Sequence, residues 1–327
     1  MTVLTDLSPH LALVTGATGG IGKATCLALA KLGCSIAVHY NTASSTASEL
    51  VESIKSLGVR AASFQADLSS YDGARSLHAS VIKELGHPTI LFNNAGLTLG
   101  KSGVKDIGEV SVEEFEATWR ANCGSAYLLT QLCVPAMVER GFGRVVFCSS
   151  VAGFTGGLVG PHYASSKSAL HGLVHWLAGA YAKNGLTING VAPALIEETK
   201  MLPGASAELS AKIPIGRLGK PEEIAETVLW IVKTGYVHNK IIAVDGGIKN
   251  PAPPISAATT FTSSTSRPAT IASAPEAWSE VAENVVGVDE VVARVPVAPN
   301  ATDDDAAALP LAPEEPLQPE RIEFWFL

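Results

Sequence analysis

Short apolar segments alternate with longer amphipathic segments along the first 250 of the 327 residues. Short apolar runs bounded by turn residues indicate buried strands, and longer segments with apolar residues every three or four positions indicate helices. The pattern predicts strands over residues 10–15, 35–40, 60–66, 89–92, 144–148, 187–191 and 240–244. It predicts helices over 23–32, 43–57, 70–85, 112–137 and 221–232, and one more that carries Tyr163 and Lys167.

This alternation predicts an α/β fold in which a parallel sheet carries helices on both faces. Ligands of such sheets bind beyond the carboxyl ends of the strands. Four polar or flexible features follow predicted strands, namely the glycine-rich turn at 16–22, Asn93, Ser150 and Pro193. We therefore expect the functional site along that edge of the sheet.

The composition changes at Pro251 and predicts a disordered C-terminal tail. Eleven of the 19 prolines but only one of the 30 glycines lie beyond residue 250, and Ser, Thr and Ala fill residues 255–274. Such a segment buries too little apolar surface to offset its chain entropy. We divide the chain into a domain over 1–250 and a Pro/Ala/Ser/Thr-rich acidic tail over 251–327, with a short helix between Trp278 and Val292 as an alternative. A chain ending near Asn250 is expected to keep its melting temperature.

Charge and cysteine content exclude several classes of function. The tail holds 12 acids and three bases, which accounts for the net charge of −8, and no basic stripe that would predict nucleic-acid binding is present. No run of 18 apolar residues and no signal peptide is found, so we expect no membrane association. All five cysteines precede residue 150 without a CxxC pair, which favours free thiols in a reducing compartment, the cytoplasm, and no metal site.

Tyr163 and Lys167 are the first candidates for chemistry. Four residues apart on a helix, they share one face. A nearby ammonium lowers the pKa of a phenol from about 10 by roughly 1–3 units, so the phenol can exchange a proton with a carbonyl or alcohol. The pair alone is a weak signal, which gains weight from Ser150 thirteen residues upstream, from Asn122 and from the glycine-rich turn.

The glycine-rich turn has the context of a dinucleotide site. A predicted strand precedes residues 16–22 and a predicted helix follows them. Glycines let the backbone approach a pyrophosphate, and the N-terminus of the helix attracts its negative charge. An ordinary glycine-rich turn is the alternative.

Together these residues resemble the short-chain dehydrogenase/reductase family over about residues 8–250, and within it the 3-oxoacyl-[acyl-carrier-protein] reductases. Residues 15–22 match its TGxxxGxG turn, 93–96 its NNAG, 193–199 its PGxIxT and 245–247 its usual ending; Asn122, Ser150, Tyr163 and Lys167 match its catalytic tetrad, and 216–225 are typical of the reductases. The resemblance implies a doubly wound Rossmann-type sheet and hydride transfer between a nicotinamide and a carbonyl or secondary alcohol.

The resemblance also implies roles for the tetrad. Tyr163 is the acid or base, and Lys167 lowers its pKa and holds the nicotinamide ribose. Ser150 hydrogen-bonds the substrate oxygen, with Ser149 as a helper. Asn122 holds a water that links Lys167 to solvent, although on spacing alone it reads as an ordinary residue on a helix surface.

We expect NADP as the cofactor, with NAD as the alternative, because Tyr40 stands at the end of the second predicted strand, where an acid would repel a 2′-phosphate. Asp67 would bind the adenine edge, unless it only caps the next helix, and Asn94 would line the adenosine ribose. Ala194 and the additional residue in Glu197-Glu198 depart from the family pattern and leave the contact of Thr199 open. The residues expected to bind the cofactor are Gly16, Gly20, Ile21, Gly22, Tyr40, Asn41, Asp67, Leu68, Asn94, Ala95, Gly96, Tyr163, Lys167, Pro193, Ile196 and Thr199.

Three hypotheses for function follow. The first is an NADP(H)-dependent reductase of 3-oxoacyl or similar small carbonyl substrates, acyl thioesters included. The second is an NAD-dependent dehydrogenase of a sugar, polyol or secondary metabolite, and the third a non-catalytic cofactor-binding scaffold. We expect residues 98–107 to form part of the substrate wall. The family's matching helices, here 112–137 and 163–181, predict a homodimer or homotetramer.

Overall fold

Seven strands form one parallel sheet in a computed structural model that describes residues 3–199, 202 and 207–248. Their order is β3-β2-β1-β4-β5-β6-β7. The strands are β1 (Leu11–Val14), β2 (Ser35–Tyr40), β3 (Ala61–Gln65), β4 (Ile90–Asn93), β5 (Gly143–Cys148), β6 (Leu186–Pro193) and β7 (Lys240–Val244). The α/β doubly wound, Rossmann-type fold is therefore confirmed, and the prediction for residues 251–327 lies outside the described residues.

Helices cover both faces of this sheet. They are α1 (Gly20–Ala30), α2 (Ser44–Lys55), α3 (Tyr71–Leu85), α4 (Val112–Trp119), α5 (Ser125–Glu139), α6 (Ala152–Thr155), α7 (Pro161–Tyr181), α8 (Ala207–Ser210) and α9 (Pro221–Lys233). The short helix α6 lies where the sequence predicts a glycine-rich loop, and Ile107–Glu109 and Ala182–Asn184 form 3-10 turns.

Two apolar layers hold the helices on the sheet. One layer contains Cys26, Leu50 and Ile224 from α1, α2 and α9, and the other contains Leu77 and Leu129 from α3 and α5 together with side chains of α7. Each fully buried Leu or Ile contributes about 1.5–3 kcal/mol relative to exposure. Because both faces are covered, the strands read as continuous apolar runs in the sequence.

The predicted helix over 112–137 has a different form. Helix α4 passes into a π-helical turn, Arg120–Gly124, before α5 begins. The backbone N–H of Ser125 bonds to the carbonyl of Arg120, five residues earlier. This wider turn holds Asn122 at 1% exposure, so the alternative of a residue on a helix surface is wrong. A Cβ on Gly124 would lie 2.5 Å from the hydroxyl of Tyr71, so a larger residue there would displace the Tyr71 ring.

No helix in the described part of the chain is both long enough and apolar enough to cross a membrane.

Candidate functional site

The turn after β1 is shaped for close approach by a ligand. Helix α1 begins at Gly20, three residues before the predicted start, so the glycines themselves form its N-terminus. Within the described residues no side chain caps this helix and its first turn holds no acid. Its first N–H groups are therefore available to an anion such as a pyrophosphate. A Cβ on Gly22 would lie 2.5 Å from the carbonyl oxygen of Gly16, so a larger residue would force this turn open.

The hydroxyl of Thr15 fastens this turn to the end of β4. Thr15 Oγ1 accepts the backbone N–H groups of Asn94 (2.8 Å) and Ala95 (2.9 Å). The Asn94 side-chain amide donates to the carbonyls of Thr15 (2.9 Å) and Gly16 (3.2 Å). The Asn94 amide therefore supports the glycine turn directly, and its expected contact with a ribose stays a prediction.

A buried histidine that the sequence analysis missed lies behind the same turn. His39 is 2% exposed, its Nδ1 accepts the N–H of Gly16 (2.9 Å), and its Nε2 lies 3.1 Å from the carbonyl of Ala66. These partners require a neutral ring protonated on Nε2. Burial lowers the pKa of His39 to about 4. The available signal was a histidine at the penultimate position of an otherwise apolar strand.

Replacing His39 by asparagine is expected to remove part of the acid sensitivity of the fold. A histidine in the unfolded chain titrates near 6.5, so the unfolded state binds the proton first as pH falls. The free energy of unfolding therefore decreases between about pH 6.5 and pH 4, by roughly 3 kcal/mol in full. Asparagine places Oδ1 near the position of Nδ1, so it can accept from Gly16 without titrating.

Urea unfolding at pH 7.5 and pH 4.5 measures this difference. The wild type is expected to lose about 2 kcal/mol more than His39→Asn over this range. The exposed His175→Asn is the matched control and should behave like the wild type. Equal losses in His39→Asn and the wild type would contradict the assignment.

The ends of β2 and β3 meet where the adenosine half of a dinucleotide is expected. The side chain of Gln65 donates to the carbonyl of Asn41 (3.1 Å), and the Asn41 amide lies 3.5 Å from Oδ1 of Asp67. Asp67 also accepts the N–H of Ser69, while Ser70 caps α3, so Asp67 is not the helix cap. Because Asn41 and Asp67 are 26 residues apart, the sequence did not indicate that the Asp67 carboxylate lies beside the end of β2. Tyr40 is half-buried there, and Leu68 is buried.

Tyr163, Lys167 and Ser150 converge at the end of β5. Tyr163 and Lys167 lie one turn apart on α7 and are 7% and 3% exposed. Lys167 Nζ donates to the carbonyl of Cys148 (2.7 Å) and lies 5.7 Å from the centre of the Tyr163 ring. Ser150 follows the strand close to Tyr163, and its hydroxyl accepts the N–H of Ala152 (3.1 Å) and lies 3.5 Å from the Pro193 carbonyl. A proton donor, a second hydrogen-bonding hydroxyl and a cation therefore occupy one site.

Burial dominates the protonation of these groups. Burial raises the pKa of Tyr163 well above its usual value, whereas the nearby Ser150 hydroxyl lowers it. Burial also lowers the pKa of Lys167. The ammonium of Lys167 donates to the Cys148 carbonyl, and the lowering of the Tyr163 pKa by Lys167 stays a prediction. The structure therefore keeps the proton on Tyr163 at neutral pH.

Asn122 organises the segment after β4 rather than lying apart from the site. Its amide accepts the N–H of Leu97 (2.8 Å) and donates to the Leu97 carbonyl and to Ser166 Oγ (3.0 Å each). A Cβ on Gly96 would lie 3.2 Å from Lys167 Nζ and 3.4 Å from Asn122 Oδ1. Gly96 thus lies between Lys167 Nζ and Asn122 Oδ1. Because it has no side chain, these two polar groups can both come close to its backbone.

Ser149 lies beside the site, and its helper role stays a prediction. Its hydroxyl lies 3.0 Å from the Lys167 carbonyl and 2.8 Å from Nε2 of His171. Ser149 therefore holds the backbone of α7 at the lysine, and His171 is a neighbour that the sequence did not indicate.

The segment after β6 runs over the start of α1. Pro193 is the last residue of β6, and its carbonyl accepts the N–H of Val151. Ile196 is buried and pairs with Gly219. The additional residue in this segment is accommodated by Glu198, which takes a positive φ of 56°. The Thr199 hydroxyl donates to the Ile196 carbonyl (3.0 Å), so its contact with a carboxamide stays a prediction.

Residues 98–107 pack on the loop before α7. Gly103 and Val104 donate to the carbonyls of Leu158 and Val159, at 2.9 and 3.3 Å. His162 Nε2 lies 3.2 Å from the Thr98 carbonyl, one residue before Tyr163. The two loops form one continuous wall, whose exposed apolar side chains include Leu99, Phe154 and Leu158.

Comparison with known proteins identifies the family. A family model described as short chain dehydrogenase matches residues 10–209. The chain is a short-chain dehydrogenase/reductase. It is 35% identical over 242 residues to the Uncharacterized oxidoreductase YmfI of Bacillus subtilis, covering 72% of this chain and 97% of that protein.

Two further relatives of this short-chain dehydrogenase/reductase have named activities. The 3-oxoacyl-[acyl-carrier-protein] reductase FabG of Pseudomonas aeruginosa is 34% identical over 74% of this chain and 98% of its own. The L-rhamnose 1-dehydrogenase (NADP(+)) of Thermoplasma acidophilum is 32% identical over 74% and 97%. The protein is thus an NAD(P)-dependent oxidoreductase that acts on alcohol or ketone groups, with a resemblance to FabG-type members.

Proposed function

We propose that this short-chain dehydrogenase/reductase uses NADPH to reduce the ketone of a 3-oxoacyl thioester or a similar small carbonyl compound. The bound nicotinamide supplies the hydride. Tyr163 donates a proton to the carbonyl oxygen, and Ser150 hydrogen-bonds the same oxygen, where negative charge develops in the transition state. Lys167 stabilises the resulting phenolate by its charge.

The observation that carries this proposal is that Ser150 and Tyr163 lie close together beside the buried Lys167. Two neighbouring hydroxyls can both contact a single oxygen atom of a substrate. Burial keeps Tyr163 protonated, which is the form that a reduction requires and an oxidation does not.

Proton replacement is proposed to run through Lys167 and the segment that Asn122 holds. The Asn122 amide lies next to Lys167 across Gly96 and fixes the backbone of Leu97 on the same side. Oδ1 of Asn122 keeps one free lone pair after accepting from Leu97, which suits a water between the amide and the ammonium. We propose that such a water connects Lys167 with solvent.

The substrate class is supported by the relatives and by the wall of residues 98–107 and 153–160. The FabG relative is named for a 3-oxoacyl reductase activity. Exposed Leu99, Phe154 and Leu158 offer apolar surface for an acyl chain rather than hydroxyl-binding groups for a sugar. A dehydrogenase of a sugar or polyol is the second candidate, and the L-rhamnose relative favours it.

A panel of substrates separates the two candidates. Short 3-oxoacyl thioesters and simple 3-keto esters are assayed with NADPH, and sugars and polyols are assayed with NAD and NADP. We expect kcat/KM for the best 3-oxoacyl thioester to exceed that of any sugar or polyol by at least tenfold. The reverse order would replace the first candidate by the second.

NADP is proposed as the cofactor, with a modest preference over NAD. NAD-preferring proteins of this fold place an acid at the end of the second strand, where this chain has Tyr40 followed by Asn41. Neutral donors hold a 2′-phosphate less strongly than an arginine does. Asp67, 3.5 Å from the Asn41 amide, further limits the expected preference.

The ratio of kcat/KM for NADPH to that for NADH, with one ketone substrate, tests this preference. We expect a ratio above one in the wild type and a lower ratio in Tyr40→Asp, because a carboxylate there repels the 2′-phosphate. Tyr40→Phe is the matched control and should keep the wild-type ratio. A wild-type ratio below one would overturn the preference.

We propose that the protein forms a homodimer or homotetramer through α5 and α7. Both helices expose a large aromatic side chain, Tyr127 at 49% and Trp176 at 68%. Burying such side chains against a second copy would be favourable. Light scattering at micromolar concentration measures the mass, and a monomer mass would contradict the proposal.

A further inference from the structure

A cavity lies at the edge of the sheet opposite the catalytic groups. Its lining comes from segments that precede strands, including His10 before β1, Arg60 before β3, His87 before β4 and Arg140 before β5. Tyr163, Ser150 and the glycine turn belong to the other edge, where the strands end. The cavity has a volume of about 360 Å³, within the range of small-molecule sites. It therefore cannot be part of the catalytic site.

Positive charge dominates the surroundings of this cavity. Arg60 and Arg140 are exposed on its wall. Buried Arg144 lies behind them, stacks on Phe142 and donates to the Val232 carbonyl (3.0 Å). The ring of His10 also stacks on Phe142, with the two ring centres 4.3 Å apart.

Asp6, an acid near His10, is already engaged. Its two carboxylate oxygens accept the N–H and the hydroxyl of Ser8, each at 2.9 Å. Besides burial, Arg144 and Arg140 both lower the pKa of His10, while Asp6 raises it. The ring of His10 therefore senses a positive potential that Asp6 does not cancel.

Helix ends offer a different explanation for the arginines. Arg60 donates to the carbonyl of Leu85, the last residue of α3 (3.1 Å), and Arg140 is the C-cap of α5. Each helix end carries about half a negative charge, so one guanidinium more than neutralises it. The two helix ends together bring about one negative charge against the two positive charges of Arg60 and Arg140, which line the cavity. Positive charge remains for a ligand.

We propose that this cavity binds a small molecule that carries two or more oxyanion groups, either phosphates or carboxylates. A guanidinium presents paired N–H donors that match such groups in a fork geometry. Arg60 uses Nη2 on Leu85 and keeps its other N–H groups for a ligand. His10 Nδ1 is paired with Thr89 Oγ1 (3.2 Å), so of the two histidines it is His87 that can add a donor. Two arginines on separate segments suit two separate oxyanion groups.

Isothermal titration calorimetry on the full chain tests the proposal. Inorganic pyrophosphate and citrate are the probes, each titrated into protein saturated with NADP so that the glycine turn is occupied. The test variants are Arg140→Gln and the double variant Arg60→Gln/Arg140→Gln. The charge-matched control is Lys55→Gln/Arg75→Gln, which removes two exposed cations from surface ion pairs on α2 and α3.

We expect saturable binding of at least one probe to the wild type, and the tighter probe distinguishes phosphate from carboxylate chemistry. Arg140→Gln is expected to raise the dissociation constant of that probe at least threefold, and the double variant at least tenfold. The control variant is expected to keep the wild-type dissociation constant. Absence of binding for both probes would overturn the proposal. Equal weakening in the control would also overturn it, because it would indicate unspecific attraction. A lower melting temperature of the arginine variants with unchanged affinity would overturn it as well, because it would indicate that the arginines serve only the helix ends.

Discussion

Tyr163→Phe is expected to lower kcat for carbonyl reduction by about 10²–10⁴-fold, the range typical for loss of a positioned acid. The substitution removes one oxygen atom from a ring that is 7% exposed and leaves its packing in place. Ser150 and Lys167 remain, so the site can still bind the cofactor and polarise the carbonyl. The loss should therefore appear in kcat and not in the dissociation constant for NADPH.

Tyr181→Phe provides the matched control for this prediction. Tyr181 ends the same helix, is partly buried and packs against the core instead of the site. Both variants should keep a melting temperature close to that of the wild type. If Tyr163→Phe kept turnover within a few-fold of the wild type, another group would have to supply the proton.

Lys167→Met is expected to give the second largest effect, a fall in kcat/KM of about 10²–10³-fold. This is the usual consequence of removing one electrostatic group directed at developing charge. Methionine retains a long side chain but loses the ammonium that would stabilise the Tyr163 phenolate. Stability should change little, because removing a desolvated charge offsets the lost hydrogen bond to the Cys148 carbonyl.

The pH profile separates this role from a merely structural one. Without the cation, the Tyr163 phenolate forms at higher pH, so alcohol oxidation by Lys167→Met should reach half-maximal rate at a higher pH than in the wild type. The exposed Lys183→Met, just beyond α7, is the control. An unchanged profile together with a lower melting temperature would show that Lys167 acts only in packing.

Local sequence patterns were sufficient to predict the sheet and the course of the chain. Strands buried on both faces appear as uninterrupted apolar runs, and the turn at residues 16–22 carries its own backbone requirements. The burial of Asn122 could not be predicted from such patterns. Helical periodicity extends smoothly across the π turn, so the sequence does not reveal that the widened turn buries the amide against Leu97.

Other features depend on contacts between distant segments. The protonation of Tyr163 is set by burial, which a spacing of four residues cannot report. His39 gains its role from the N–H of Gly16, 23 residues earlier in the chain. The basic cavity draws its lining from separate segments that precede different strands, and only the strand order brings them together.

Deuterium transfer from [4,4-²H₂]NADPH tests the central claim most directly. The full chain is incubated with a 3-oxoacyl thioester, and the product is analysed by mass spectrometry and proton NMR. We predict one deuterium on the carbinol carbon of the 3-hydroxy product in the wild type, and at least 100-fold slower labelling in Tyr163→Phe. Cofactor binding without label in any ketone of the panel, or equal labelling rates in both proteins, would contradict the account.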